Sequence, residues 1–234
     1  MKKLIAIALA AAALIPSAAV AKNVTETRTI SAFEKLEAST AVNIKYVQGT
    51  PVSLKISGDS EAVAATKTKL SDGKLKIWRT DKQQKNFGPD RTVTVTVTTP
   101  VIRKIELSGA CGFTADRLSR DGDIEIDLKG ATAVDIKNLN AAEVGIDCSG
   151  ASKVSVAKSS TKSIDLDLSG ASTATIAGNT GYLDLDCNGA SEANLGHLSA
   201  VSGKVGLSGA SKAKTNVQNL RKSHVGGAST LKNR

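Results

Sequence analysis

The chain has 234 residues, of which 41% are hydrophobic, 23% charged and only 3% aromatic, with a formal net charge of +9. That length allows one sizeable domain or two small ones, and so few aromatic rings argue against a sugar site built on flat stacking surfaces. The moderate basic excess would read as nucleic-acid affinity in an intracellular protein, but the first residues direct the chain elsewhere.

Lys2 and Lys3 precede an unbroken apolar run over residues 4–16, followed by Ala19-Val20-Ala21. This is the three-part layout of a secretory signal peptide with a small-x-small cleavage site. The run is about 13 residues, short of the roughly 20 that cross a bilayer, so no membrane span is expected. The first cysteine is Cys111, which argues against a lipid-modified N-terminus. Residues 1–21 are therefore expected to be removed, leaving Lys22 first and a formal charge of +7 once Lys2 and Lys3 are lost. An exported protein, whether periplasmic, on the outer surface or secreted, has no nucleic acid to meet. Its basic residues then face anionic surface glycans or phosphates, or simply solvate it.

Residues 22–100 contain three alternating runs, at 52–56, 75–77 and 93–97, each reading as a strand. From residue 101 a repeat takes over. The tetrapeptide Leu107-Ser108-Gly109-Ala110 returns in variant form around Gly130, Gly150, Gly170, Gly189, Gly209 and Gly227, about every twenty residues. Before each glycine the residues alternate, as in Ile164-Asp165-Leu166-Asp167-Leu168, which predicts a strand with one buried face. A second short alternating run follows, such as Val154-Ser155-Val156, and then a polar turn. Strand, corner, strand, turn is one coil of an all-β solenoid.

Stacking the copies produces columns. Leu107, Leu128, Cys148, Leu168, Cys187, Leu207 and Val225 should point inward, as should Ile105, Ile126, Ile146, Leu166, Leu185 and Val205 until Ser223 breaks the series at a frayed last coil. The glycines should supply a positive φ at each corner, and the alanines after them suggest a corner too tight for a larger side chain. Phe33, Leu36, Ala38 and Thr40 echo Ile102, Ile105, Leu107 and Gly109, so residues 22–100 read as longer-looped first coils covering the open end of the stack. A separate small β domain is the alternative. Residues 101–234 are the regular coils, closing in a basic tail at 221–234.

With the repeats in view, the chain resembles the family described as putative auto-transporter adhesin, head GIN domain. The resemblance rests on Phe33-Glu34-Lys35-Leu36 with Val42-Asn43-Ile44, on residues 72–77, and on Ser-Gly-Ala-Ser repeats such as residues 149–152, and it covers nearly everything after residue 21. It implies a single-stranded, right-handed parallel β-helix and an adhesin-like role. The family has no established activity, so the resemblance transfers no functional residues. No C-terminal membrane barrel follows the repeats, so self-export is not expected.

Catalytic constellations are thin. His197 and His224 both fall in the last coils as solvated turn residues, and neither a Gly-x-Ser-x-Gly elbow nor a phosphate-binding glycine loop is present. Cys148 and Cys187 share an inward column with the Leu168 coil between them, about 9.6 Å apart by strand spacing and beyond bridging range. With Cys111 in another column, all three are expected to be free thiols.

The outward columns carry the one distinctive chemistry. Glu106, Asp127, Asp147, Asp167 and Asp186 stack in one column, with Glu125, Asp165 and Asp184 beside them. Two readings stand: a solvated face neutralised by lysines such as Lys129, Lys153 and Lys162, or a calcium site using Asp147, Asp165, Asp167, Asp184 and Asp186, since oxygen ligands suit a hard cation. Equivalent positions on successive coils should have similar pKa values, unlike a catalytic carboxylate pair. Trp78 should point outward unless the loop over residues 80–90 covers it, and is a candidate ligand contact. The expected function is a non-enzymatic, adhesin-like surface or glycan interaction module; a β-helix lyase or hydrolase acting on acidic glycans is the alternative.

Overall fold

The computed structural model describes residues 23–80 and 92–234. The expected leader and most of the loop after Thr80 lie outside the described residues. Sixteen strands and one short helix follow in order: β1 (Asn23–Arg28), β2 (Lys35–Ser39), β3 (Val42–Gln48), β4 (Ser53–Asp59), α1 (Ser60–Ala65), β5 (Thr66–Ser71), β6 (Lys74–Arg79), β7 (Val93–Thr99) and β8 (Lys104–Gly109). The remainder are β9 (Gly112–Ser119), β10 (Ile124–Gly130), β11 (Ala133–Gly150), β12 (Lys153–Leu168), β13 (Thr173–Cys187), β14 (Glu192–Leu207), β15 (Lys212–Val225) and β16 (Thr230–Asn233). They form a parallel β-solenoid of about six turns, roughly 20 residues per coil. Alternation drives it: in β12, Ile164, Leu166 and Leu168 are buried while Asp165 and Asp167 face solvent.

The coils stack in the register that the glycine spacing predicts, with Leu128 against Cys148, Cys148 against Leu168, and Leu168 against Cys187. All the corner glycines have positive φ, for example 82° at Gly150 and 74° at Gly170. A Cβ on Gly170 would also stand 2.6 Å from the carbonyl oxygen of Gly150. Glycine is thus required twice over, by its own backbone and by the rung beneath it. The alanines after these glycines are exposed, which corrects the expectation that they mark a tight spot; the crowding lies one residue earlier. The next position is the buried one. Ser152, Ser172, Ser191 and Ser211 point inward, each donating its hydroxyl to the carbonyl three residues back, at 2.8 Å for Ser152 to Ser149 and 2.8 Å for Ser172 to Ser169. These bonds make buried hydroxyls tolerable in the core.

The amino-terminal coils differ from the order expected. β2 and β3 lie between two other rungs: β6 and β8 both pair with β2, and β7 and β9 both pair with β3, all in parallel. The rung that comes first in sequence is therefore second in space. The outer edges of β6 and β7 are taken by antiparallel strands, β5 against β6 and β4 against β7, with β1 antiparallel to β4. Asp59 caps α1 beside them, its Oδ1 accepting from the N–H groups of Glu61 and Ala62. One apolar core runs from Phe33 through Val217.

At the other end Ser223 is exposed, as the broken column predicts, but Val225, expected to point inward, is exposed as well, because no full rung covers it. The basic tail is not a tail: residues 221–225 complete β15, and β16 adds a further parallel rung, with Lys212 against Thr230.

Candidate functional site

One face of the solenoid presents two adjacent outward columns set by strand register. The first runs Lys76, Glu37, Glu106, Asp127, Asp147, Asp167, Asp186, Gly206, His224. The second, two residues earlier on each rung, runs Lys74, Lys35, Lys104, Glu125, Gly145, Asp165, Asp184, Lys204, Lys222. Neighbouring rungs are about 4.8 Å apart, so carboxylates in a column are neighbours.

Lysines neutralise the ends of this stripe. Lys74 reaches Glu106 at 2.5 Å and Glu37 at 3.3 Å, Lys76 reaches Glu37 at 2.6 Å, and Lys104 bridges Glu125 at 2.8 Å and Asp127 at 2.9 Å. At the far end Lys204 holds Asp184 at 2.7 Å. The neutralising lysines among the described residues are these four, in place of the expected Lys129, Lys153 and Lys162. Among the described residues no ion pair reaches Asp147, Asp165, Asp167 or Asp186.

The carboxyls along the stripe consequently have unlike environments. The hydrogen bond from Lys76, helped by Lys74, holds Glu37 below the usual carboxylate range. Partial burial, then the charges of Asp165, Asp147 and Asp186, push Asp167 up to about 6. Burial and the charges of Asp184, Asp147 and Asp186 also raise Asp165. The middle of the stripe is therefore an unneutralised patch of negative charge. Among the described residues no three His, Cys, Asp or Glu side chains converge as a ready-made metal cage.

Trp78 is half-buried in β6, paired across the antiparallel edge with Lys67. It sits on the same rung as Lys76, four rungs from Asp147 and so about 19 Å along the stack. The two candidate sites are separate. A second aromatic was missed by sequence reading: Tyr182 lies half-buried beside the stripe, with Lys204 Nζ 6.0 Å from its ring centre. His197 and His224 are exposed. The three cysteines are free and buried. Burial pushes the Cys148 and Cys187 thiols up to about 12 and raises Cys111 as well.

Residues 32–234 match the family described as putative auto-transporter adhesin, head GIN domain. The chain belongs to this family. Its fold is shared with solved structures at low identity. A putative adhesin from Bacteroides fragilis is 20% identical with a TM-score of 0.74, over 91% of this chain and 97% of that one. A putative adhesin from Parabacteroides merdae is 16% identical with a TM-score of 0.74, over 91% and 96% respectively. A putative lipid binding protein from Parabacteroides distasonis is 12% identical with a TM-score of 0.73, over 91% and 96%. At such identities these likenesses establish the fold alone. No curated protein matches the chain.

Proposed function

We propose that this head GIN domain protein is an exported, non-enzymatic interaction module of the cell envelope or surface, adhesin-like, with glycans as its partners. Family membership supports the class. The observation that carries the reading is the ladder of outward groups in register, Asp127, Asp147, Asp167 and Asp186 on four successive rungs. One chemical group repeated at strand spacing suits an extended, repetitive partner better than a single small molecule. The unneutralised centre, Asp147, Asp165, Asp167 and Asp186 with the Lys204-paired Asp184, is the part proposed to take calcium, with glycan or water oxygens completing the shell. Trp78 supplies a separate apolar contact at the other end of that face. Export requires cleavage after Ala21, and intact mass of the secreted protein should place Lys22 first.

A second reading, cleavage of acidic glycans, draws on Asp167, whose carboxyl is raised while Glu37 in the same column is lowered. Unlike carboxyls are what acid–base catalysis uses. Burial and like charges at Asp167, and lysine pairing at Glu37, account for the difference without catalysis. The test is a panel of neutral and acidic glycans, titrated with and without calcium and assayed for products. Binding without turnover, strengthened by calcium and weakened in Asp167→Asn/Asp186→Asn, supports the module. Turnover that vanishes in that double variant would overturn it, as would the absence of binding to every glycan tested.

A further inference from the structure

A second candidate site lies away from the acidic stripe, where the last coils bend. Thr175 is in register with Asn194, Asn194 with Lys214, and Lys214 with Lys232, forming one outward column over four rungs. Past Asn194 the register of β14 shifts against both neighbouring strands, and Gly196 and His197 also line the cleft. Arg234 closes the far side, held there by its main-chain N–H, which donates to the carbonyl of Thr215 at 3.1 Å. These residues line a cleft of about 330 Å³, at the lower end of the size range of small-ligand sites.

The cleft's charge is unbalanced. Lys214 and Lys232 occupy adjacent strands directly opposite each other, an arrangement that is destabilising for like charges. Among the described residues no ion pair reaches Lys214, Lys232 or Arg234. The nearby acid, Glu192, accepts a hydrogen bond from Asn194 Nδ2 at 3.1 Å. Besides the cations, the cleft presents the Thr175 hydroxyl and the Asn194 side chain, whose Nδ2 is taken by Glu192 and whose Oδ1 is left as an acceptor. No large apolar side chain lines it.

We propose that this cleft binds the anionic group of a sugar residue, a carboxylate or sulfate, with Lys214, Lys232 and Arg234 holding the charge and Thr175 and Asn194 meeting ring hydroxyls. The proposal rests on the glycan-binding reading above and assigns the acidic sugar to a different place from the carboxylate stripe. A recessed polar cleft favours a sugar over a lipid surface, which would call for exposed apolar side chains beside the cations.

The experiment titrates the full chain with an oligogalacturonate, a sulfated oligosaccharide, a neutral oligosaccharide of equal length, and vesicles containing phosphatidylglycerol. Each titration is repeated with Lys214→Gln/Lys232→Gln and with Lys214→Arg/Lys232→Arg. Both lysines are exposed, so folding is checked by a Tm that is unchanged or, in the glutamine variant, slightly raised by relief of the like-charge pair. The expected result is binding of an acidic oligosaccharide that weakens with salt. It should fall about tenfold or more in the glutamine variant and be retained in the arginine variant. Acidic-sugar binding unchanged in the glutamine variant overturns the cleft and leaves the glycan reading standing. Binding of the neutral sugar alone has the same meaning. Binding of vesicles alone overturns the sugar proposal in favour of a lipid headgroup, and binding of nothing overturns both readings.

Discussion

The side chain of Asn233 pairs with the backbone of Val217 in both directions: the Val217 N–H donates to Asn233 Oδ1 at 2.9 Å, and Asn233 Nδ2 donates to the Val217 carbonyl at 2.9 Å. A carboxamide has the donor and acceptor geometry of a peptide group, so Asn233 stands in for a strand neighbour at the edge where β16 ends. Thr215 adds its hydroxyl to the same Oδ1 at 2.9 Å. Val217 is buried, so losing these partners strands polar backbone groups.

Asn233→Ala is expected to destabilise the last rung by roughly 1–3 kcal/mol, the cost of unsatisfied buried groups. Because solenoid rungs contact only their neighbours, the effect should stay local. Amide exchange at Val217 should accelerate while exchange at Val154, several rungs away, stays as it was. Equal acceleration at both positions would show that the clamp is not a local device.

The corner separates two adjacent small residues. Gly170→Ala forces a side chain into a φ of 74° and within 2.6 Å of the Gly150 carbonyl, and should cost about 2 kcal/mol or more. Ala171→Ser, one residue later and exposed, should change stability by less than about 0.5 kcal/mol. Chemical denaturation of the two variants measures both. Similar losses would mean that the alanine is confined after all.

Native protein should resist thiol reagents at pH 8, because Cys148, Cys187 and Cys111 are buried and their thiols are raised. Unfolding in denaturant without reductant should release all three. Recovery of only one would mean that two had been joined, which the intervening Leu168 rung forbids in the native stack.

The legible parts of the fold are those that depend on position along one repeat. Glycine spacing gives the corners, and period two gives the buried columns, down to Leu168 between the two cysteines. Thr40 in the glycine position of its rung was also legible, and it has a φ of 66°. The stacking of β2 between β6 and β8 was not, because alternation says which face is buried and nothing about which distant strand lies beside it. The inward Ser152 was missed because a serine beside a turn reads as solvated, and its hydrogen bond to the Ser149 carbonyl exists only once the corner is built. The neutralising lysines could have been found: extending the second column by the repeat spacing places Lys104 next to Glu125 and Lys204 next to Asp184. The basic column was legible too, since Thr175, Asn194, Lys214 and Lys232 each stand five residues after a corner glycine; the approach of Gly196 and His197 was not, because they lie past the register shift that follows Asn194.

The two ends of the acidic ladder should leave opposite marks on the pH dependence of stability. Asp167, raised to about 6 by burial and like-charged neighbours, binds its proton more tightly folded than unfolded, where an aspartate titrates near 3.9. Between those values the native state holds more protons, so this group's contribution to stability is fully present below about pH 4 and is lost as pH rises through about 6. Glu37, lowered by Lys76 and Lys74, behaves in reverse: its contribution is present above the unfolded value near 4.3 and disappears as pH falls below it. Asp167→Asn should therefore raise Tm at pH 7.5 and have little effect at pH 4. Glu37→Gln should lower Tm at pH 7.5, with the loss shrinking as the medium becomes more acid. Melting curves across pH 3.5–8 decide the matter. If Asp167→Asn instead lowers Tm at neutral pH in chelator-treated buffer, the carboxylate is stabilised by a partner and the centre of the stripe is not an unneutralised patch.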